Sequence, residues 1–244
     1  MGQIKIVIPT ADRAETVYPK IPGQILCVPK NQEDQYKEHN DCEIITHPKI
    51  KGLALKRQWI LEKFKSVFMM DDDITKAERL YTTDNEHAHM TWTEAEHRIQ
   101  ETYQTAKQAG IYLFGFNDTP NPKHYKPFKP IQLTGYINAS AFGIIDNDKL
   151  HFTKETTAAE SHWITLLNAY YFRKCYIDNR YHFRQKLNST FTLDGGQAMN
   201  RTMESEKNDT MYLKKIFGNA VEIKKGQKDG KRLHKYQRTI KIPF

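Results

Sequence analysis

A mostly parallel α/β sheet with helices on both faces is the fold class this sequence predicts, and three observations carry it. Short apolar runs recur through the first half of the chain, and each stops at a proline or an acid. Between them lie stretches with the apolar spacing of helices. Strands and helices that alternate in this way form parallel ladders covered on both faces.

The elements follow in order. Ile4–Ile8 (IKIVI) ends at Pro9, Gln24–Val28 (QILCV) ends at Pro29, and Cys42–Thr46 (CEIIT) precedes Pro48. Each reads as a buried strand. Across 53–65, Leu53, Ile60, Leu61 and Phe64 fall on one helical face, with Lys56 and Arg57 among them. Val67–Met70 is a fourth strand and runs into Asp71, Asp72 and Asp73. Thr93–Ala109 predicts a helix: Thr93 and Glu96 have capping-box spacing, and Gly110 sits past the end. Ile111–Phe116 is a strand, and the four prolines of Asn117–Pro130 demand an irregular loop. Ile131–Ile145 is apolar and β-prone, Glu160–Arg173 is a helix, and Cys175–Phe183 is a strand. A last helix covers Glu206–Phe217 and stops at Gly218.

The chain has 244 residues, 39% of them hydrophobic, which is enough for one sizeable core. Its net charge is +8, and the segment from Lys224 to Lys241 carries +7 of that: eight Lys and Arg against Asp229. The body is nearly neutral, so the basic character belongs to a tail and points to an anionic partner. The organisation predicted is one α/β domain over 1–222 and a basic extension over 223–244, packed on or near the active site.

Cys27, Cys42 and Cys175 match neither a metal knuckle nor a disulfide framework, so a reducing, cytoplasmic setting is expected, in a host's cytoplasm if the protein is viral. No run approaches the ~20 apolar residues of a membrane span, and no membrane partner is expected. Met1-Gly2 leads straight into a strand-like run, and Ile6 stands where a myristoylation signal needs Ser or Thr.

The acidic triplet falls just past the carboxyl end of the fourth strand, where ligands of open α/β sheets bind. Clustered carboxylates repel unless a cation sits among them. A hard ion such as Mn²⁺ or Mg²⁺ takes one or two carboxylates plus phosphate oxygens, which suits a nucleoside diphosphate. The competing reading is an acidic turn whose aspartates cap a helix beginning near Thr75.

VIPTADR (Val7–Arg13), GLALKRQWIL (Gly52–Leu61) and VFMMDDDI (Val67–Ile74), in this order and spacing, resemble the GT-A glycosyltransferases, which use nucleotide-sugar donors. The likeness is specific over about residues 4 to 75 and looser to about 183. Within that class, the KRQWIL…MMDDDI block is similar to phage-type glycosyltransferases associated with modified-base (TET/JBP-like) oxygenases. Those enzymes are thought to glycosylate hydroxymethylated bases in DNA.

The resemblance implies a GT-A (Rossmann-like) sheet and a transferase that takes a sugar from a nucleotide-diphosphate donor, a UDP-sugar first among them. It implies that Pro9, Thr10, Arg13 and Arg57 lie against the donor. Asp71 and Asp72 join the donor set, and Asp71 and Asp73 would hold the metal, with His234 as a further ligand. Turn-forming and solvated-helix roles are the alternatives for Thr10, Arg13 and Arg57. Asp72, in the middle of the triplet, would point elsewhere.

Glu160, in TTAAESHW (Thr156–Trp163), stands where the class carries an acid at the start of a helix, although the usual second acid is Ser161 here. In an inverting reaction Glu160 would accept the acceptor hydroxyl's proton, an effect of roughly 10²–10⁴-fold. Thr157 and Glu160 also have capping-box spacing, so Glu160 could instead serve backbone N–H groups. His162 is a competing base, and a retaining enzyme would need neither. Gly135 and Asn138 lie in a strand-like run where glycine marks either close approach of a ligand or a bulge.

The loop NPKHYKPFKP (Asn121–Pro130) interleaves Lys123, Lys126 and Lys129 with Tyr125 and Phe128. The tail offers Arg232, His234 and Tyr236 in the same style. Cations meet phosphates and aromatics stack on exposed bases, so Lys123, Tyr125, Lys126 and Arg232 are the acceptor-binding candidates and DNA with modified bases is the acceptor. A glycan, protein or small-molecule acceptor is the alternative, and a non-catalytic nucleic-acid-binding module is a third reading. A sugar-phosphate nucleotidyltransferase, which RAETVYPK (Arg13–Lys20) faintly resembles, lacks support because Pro9-Thr10-Ala11-Asp12 holds no glycine to cradle a triphosphate.

Overall fold

In the computed structural model, residues 2–82, 84–186, 202–224 and 236–242 are described. The elements are β1 (Lys5–Pro9), β2 (Ile25–Pro29), α1 (Glu33–His39), β3 (Glu43–His47), α2 (Leu53–Phe64), β4 (Val67–Met70) and β5 (Ile74–Arg79). Then come α3 (Asn85–Ala88), β6 (His89–Met90), α4 (Trp92–Gln108), β7 (Leu113–Asn117), β8 (Ile131–Gln132) and β9 (Ala141–Ile144). The chain continues with α5 (Glu160–Tyr171), β10 (Tyr176–Gln185), α6 (Met203–Phe217), β11 (Val221–Ile223) and β12 (Arg238–Ile240).

One sheet runs in the order β3-β2-β1-β4-β9-β7-β10-β5-β6, with β8 on β10. The pairs β1–β2, β2–β3, β1–β4 and β7–β10 are parallel, and β9 lies antiparallel between β4 and β7. Their carboxyl ends therefore share one edge. The central strands are apolar throughout because both faces are covered. Ile6, Ile8, Phe68, Met70 and Phe114 pack on the face of α1 and α4. Val7, Met69, Leu113, Phe142 and Ile144 pack on the face of α2 and α5. At Gly143 in β9 a Cβ would lie 2.1 Å from the Phe114 ring, so the central sheet tolerates no side chain there.

Several expectations change. The α4 capping box is Thr91 with Glu94, not Thr93 with Glu96: Thr91 keeps extended backbone (φ −66°, ψ 159°) and accepts the Glu94 N–H. Its buried face, Ala95, Ile99, Tyr103 and Ala106, follows the helical period. Residues from Thr75 onward form β5 rather than a helix, held by pairing with β10. Ile131–Ile145 is not one strand. Gly135 (φ +140°) breaks it, and the N–H groups of Ile137 and Ala139 donate to the Thr165 and Ser161 hydroxyls of α5 instead of to a neighbouring strand. The close approach at Gly135 is to the Gln132 side chain. The last helix begins three residues earlier than expected, at a Thr202–Ser205 capping box. β11 pairs with β12, so the boundary expected at 222/223 falls inside this ribbon.

Candidate active site

Four segments meet at the shared carboxyl edge: the turn after β1, the N-terminal half of α2, the acidic turn between β4 and β5, and the end of β10. The acidic turn is pinned through its backbone. Asp71 N–H donates to Ser140 O (2.8 Å), Tyr18 N–H to Asp72 O (2.9 Å), and Lys186 N–H to Asp73 O (2.9 Å). The main chain of the turn is thus held on three sides, and its side chains point in different directions.

Asp72 points toward β1. Its two oxygens accept from Thr10 Oγ1 (2.6 Å) and Arg13 Nη1 (2.9 Å). The Tyr36 hydroxyl lies 2.8 Å from Thr10 Oγ1 and accepts the Arg13 N–H at 3.1 Å. Because Thr10 spends its proton on Asp72, the Tyr36 hydroxyl is the donor to Thr10. Burial raises the Asp72 carboxyl, while Thr10 and Arg13 act to lower it.

Asp71 and Asp73 turn the other way. Arg57 Nη2 lies 2.7 Å from Asp71 Oδ1 and 2.8 Å from Ala139 O, with its guanidinium 5.4 Å from the Phe142 ring centre. Gln185 Nε2 reaches both carboxylates, at 3.3 Å from Asp71 Oδ2 and 3.1 Å from Asp73 Oδ1. One amide therefore serves two acids. Burial pushes Asp71 up to about 7; Arg57 opposes this, and the negative charges of Asp73, Asp72 and Glu160 add to it. Burial is the main cause, and the neighbouring carboxylates add to the cost of ionising Asp71.

Glu160 opens α5 at the same edge and is 7% exposed. Burial raises its carboxyl, with Arg57 as the main opposing influence. Its Oε1 is buried without a hydrogen-bond partner, as is Arg57 Nε. The capping-box alternative is not what forms. Ala159 is the N-cap of α5, no side chain caps it, and the N–H groups of Thr157 and Ala158 go to Asp209 of α6. The His162 ring packs 5.1 Å from the Tyr136 ring.

Thus the structure gathers Pro9, Thr10, Arg13, Arg57, Asp71, Asp72 and Asp73 at one edge with Glu160. Arg57 is 2% exposed and its charge is engaged by Asp71. Lys123 and Lys126 are exposed and Tyr125 is half-buried, 6.5 Å from Tyr81 in the 118–130 loop; no hydrogen bond joins them to the acidic turn. His234 and Arg232 lie outside the described residues. Sequence reasoning missed Gln185, Lys56 and Tyr36. Lys56 is buried beside Arg57, with Nζ 3.2 Å from Thr10 O. Its signal was present in the KR pair, whereas nothing local marks Gln185.

A metal is implied by the resemblance. Among the described residues no group of three or more His, Cys, Asp or Glu is placed to hold one. Asp71 and Asp73, which converge on a single amide, are the residues that would hold it, with phosphate and water as the remaining ligands.

The architecture is a mixed, mostly parallel α/β sheet with helices on both faces and an acidic turn at the carboxyl edge of its strands. Residues 4–188 match the model of the family described as TET-associated glycosyltransferase, and the chain belongs to that family; it is a glycosyltransferase. No curated protein matches it. Solved structures similar to it include a CMP:2-keto-3-deoxy-manno-octonic acid synthetase complexed with CTP, at 8% identity and TM-score 0.32, covering 47% of this chain and 52% of that one. Another is A197 from STIV, at 9% identity and TM-score 0.39, covering 76% of this chain and 87% of that one. The chain thus spans about half the length of the synthetase. Among the described residues no helix is long and apolar enough to cross a membrane.

Proposed function

We propose that this glycosyltransferase moves a sugar from a UDP-sugar to the hydroxyl of a hydroxymethylated pyrimidine in DNA, with Mn²⁺ or Mg²⁺ bound at Asp71 and Asp73. The observation that carries the reading is the shared Gln185 amide between these two carboxylates, at the strand edge, beside a buried acid with an unpartnered oxygen. The bound ion would neutralise the diphosphate as it departs.

The chain's own residues do the rest. Thr10 and Arg13, held by Asp72, line the β1 turn where the nucleotide lies. Arg57 holds Asp71 in place and favours its ionised form. Glu160 accepts the proton of the acceptor hydroxyl while that oxygen bonds to the anomeric carbon. The bond from that carbon to the phosphate oxygen breaks, and the nucleoside diphosphate leaves with the electron pair. A base in this position corresponds to inversion at the anomeric carbon. Lys123, Tyr125 and Lys126 contact the DNA, the tail adds positive charge through Arg232, and His234 is a further ligand to the metal. Three free thiols suit a reducing cytoplasm.

The test is a panel of labelled UDP-sugars with Mn²⁺ and duplex DNA containing 5-hydroxymethylcytosine. Label in the DNA, abolished by Asp73→Ala, supports the reading. Donor hydrolysis without DNA labelling moves the acceptor to a glycan, protein or small molecule.

A further inference from the structure

The described stretches 202–224 and 236–240 lie beyond the family match, yet side chains from them grip the chain next to Glu160. α6 turns Glu206, Asp209, Thr210 and Leu213 inward, and three of those four are polar. A buried acid demands partners. Asp209 finds two in backbone: Oδ1 accepts from Thr157 N–H (2.8 Å) and Oδ2 from Ala158 N–H (2.7 Å). Glu206 Oε2 pairs with Arg238 Nη1 at 3.1 Å, and the same nitrogen donates to Thr210 Oγ1 at 3.0 Å. Arg238 Nη2 then donates to Ala158 O at 3.0 Å. Ala158 is therefore held at both its N–H and its C=O by side chains from the C-terminal segment.

Glu160 is two residues further on. Its helix has no side-chain cap of its own, since Ala159 holds that position. A Ser or Asp at 159 would cap the helix locally. The chain instead commits a buried ion pair, 4% and 3% exposed, to fix this peptide, and burying two charges costs free energy that capping alone does not require.

We propose that Asp209 and Arg238 are positioning residues: they clamp the 157–158 peptide and thereby hold Glu160 in the orientation transfer requires. This rests on Glu160 being the base. A reacting group displaced by about 1 Å loses on the order of 10²-fold in rate, which sets the scale of the effect.

The test uses the full chain with Arg238→Lys and Asp209→Asn. The Arg238→Lys change keeps the charge opposite Glu206 but offers no planar fork, and Asp209→Asn leaves the Arg238–Glu206 pair intact if the first variant fails to fold. Three measurements are made: amide exchange at 157–160, affinity for UDP with Mn²⁺, and kcat for transfer to 5-hydroxymethylcytosine DNA. The expected result is faster exchange confined to that loop and a kcat lowered by about 100-fold in Arg238→Lys and about 10-fold in Asp209→Asn. UDP affinity stays within about twofold of wild type, because positioning acts on the acceptor side.

Wild-type kcat in a variant with a loosened loop overturns the proposal, as does a parallel loss of UDP affinity, kcat and melting temperature. If Glu160→Gln retains full turnover, the base assignment falls. The exchange result then decides the clamp separately, and unchanged exchange in both variants overturns it.

Discussion

The two sides of the acidic turn are built differently. Asp72 has one oxygen taken by Thr10 and the other by Arg13, within a network closed by Tyr36. Asp71 and Asp73, its immediate neighbours, share a single Gln185 amide; Asp71 also pairs with Arg57, yet burial, aided by the negative charges around it, pushes it up to about 7. Adjacent identical residues thus do opposite work. One ties the β1 turn to β4; the other two share one amide at the strand edge, where Asp71 is buried among like charges. An acidic cluster is read by which of its members are already satisfied.

The largest expected effect breaks the open side. Asp73→Ala should lower transfer at least about 10³-fold, equivalent to roughly 4 kcal/mol of barrier, and remove metal dependence while the melting temperature stays nearly unchanged. On the closed side the effects invert. Asp72→Ala leaves Arg13 without its buried partner and should cost about 3 kcal/mol of stability in denaturant unfolding.

Glu160→Gln should lower kcat by roughly 10²–10⁴-fold without weakening UDP binding. The pH dependence sharpens this. The Glu160 carboxyl is raised above its ordinary value of 4.5 by burial, and a base acts only when deprotonated. Transfer should therefore climb with pH through a limb displaced above 4.5, and that limb should vanish in Glu160→Gln. For stability the sign is the reverse. A carboxyl raised on folding makes the folded state hold the proton more tightly, so its contribution falls as pH rises from 4.5 through the folded value.

The smallest effect concerns the exposed loop. Replacing Lys123 and Lys126 by Ala should reduce the slope of log affinity for DNA against log salt by about 0.9 per lost phosphate contact, with kcat at saturating DNA unchanged.

Much of the fold was legible because its signals are local. The prolines that close β1 and β2, the acids after β4 and the helical period of α2 each act within a few residues. The failures have equally specific causes. Ile131–Ile145 has the composition of a strand, but the N–H groups of Ile137 and Ala139 find hydroxyls on α5, a choice made across the core. Thr157 and Glu160 had the spacing of a capping box, but Asp209 took the N–H groups first. α1 went unread because its seven residues bury only Tyr36 and leave no apolar period.

By itself the sequence determined the alternating strands and helices, the acidic turn at the end of β4 and the family motifs that surround it, since each depends on neighbours in the chain. Only the tertiary structure decided which acid is satisfied, that Gln185 bridges the other two, and that Arg238 reaches back to Ala158. Those contacts join residues 112, 114 and 80 positions apart, and burial and charge balance at such separations exist only once the chain has closed on itself.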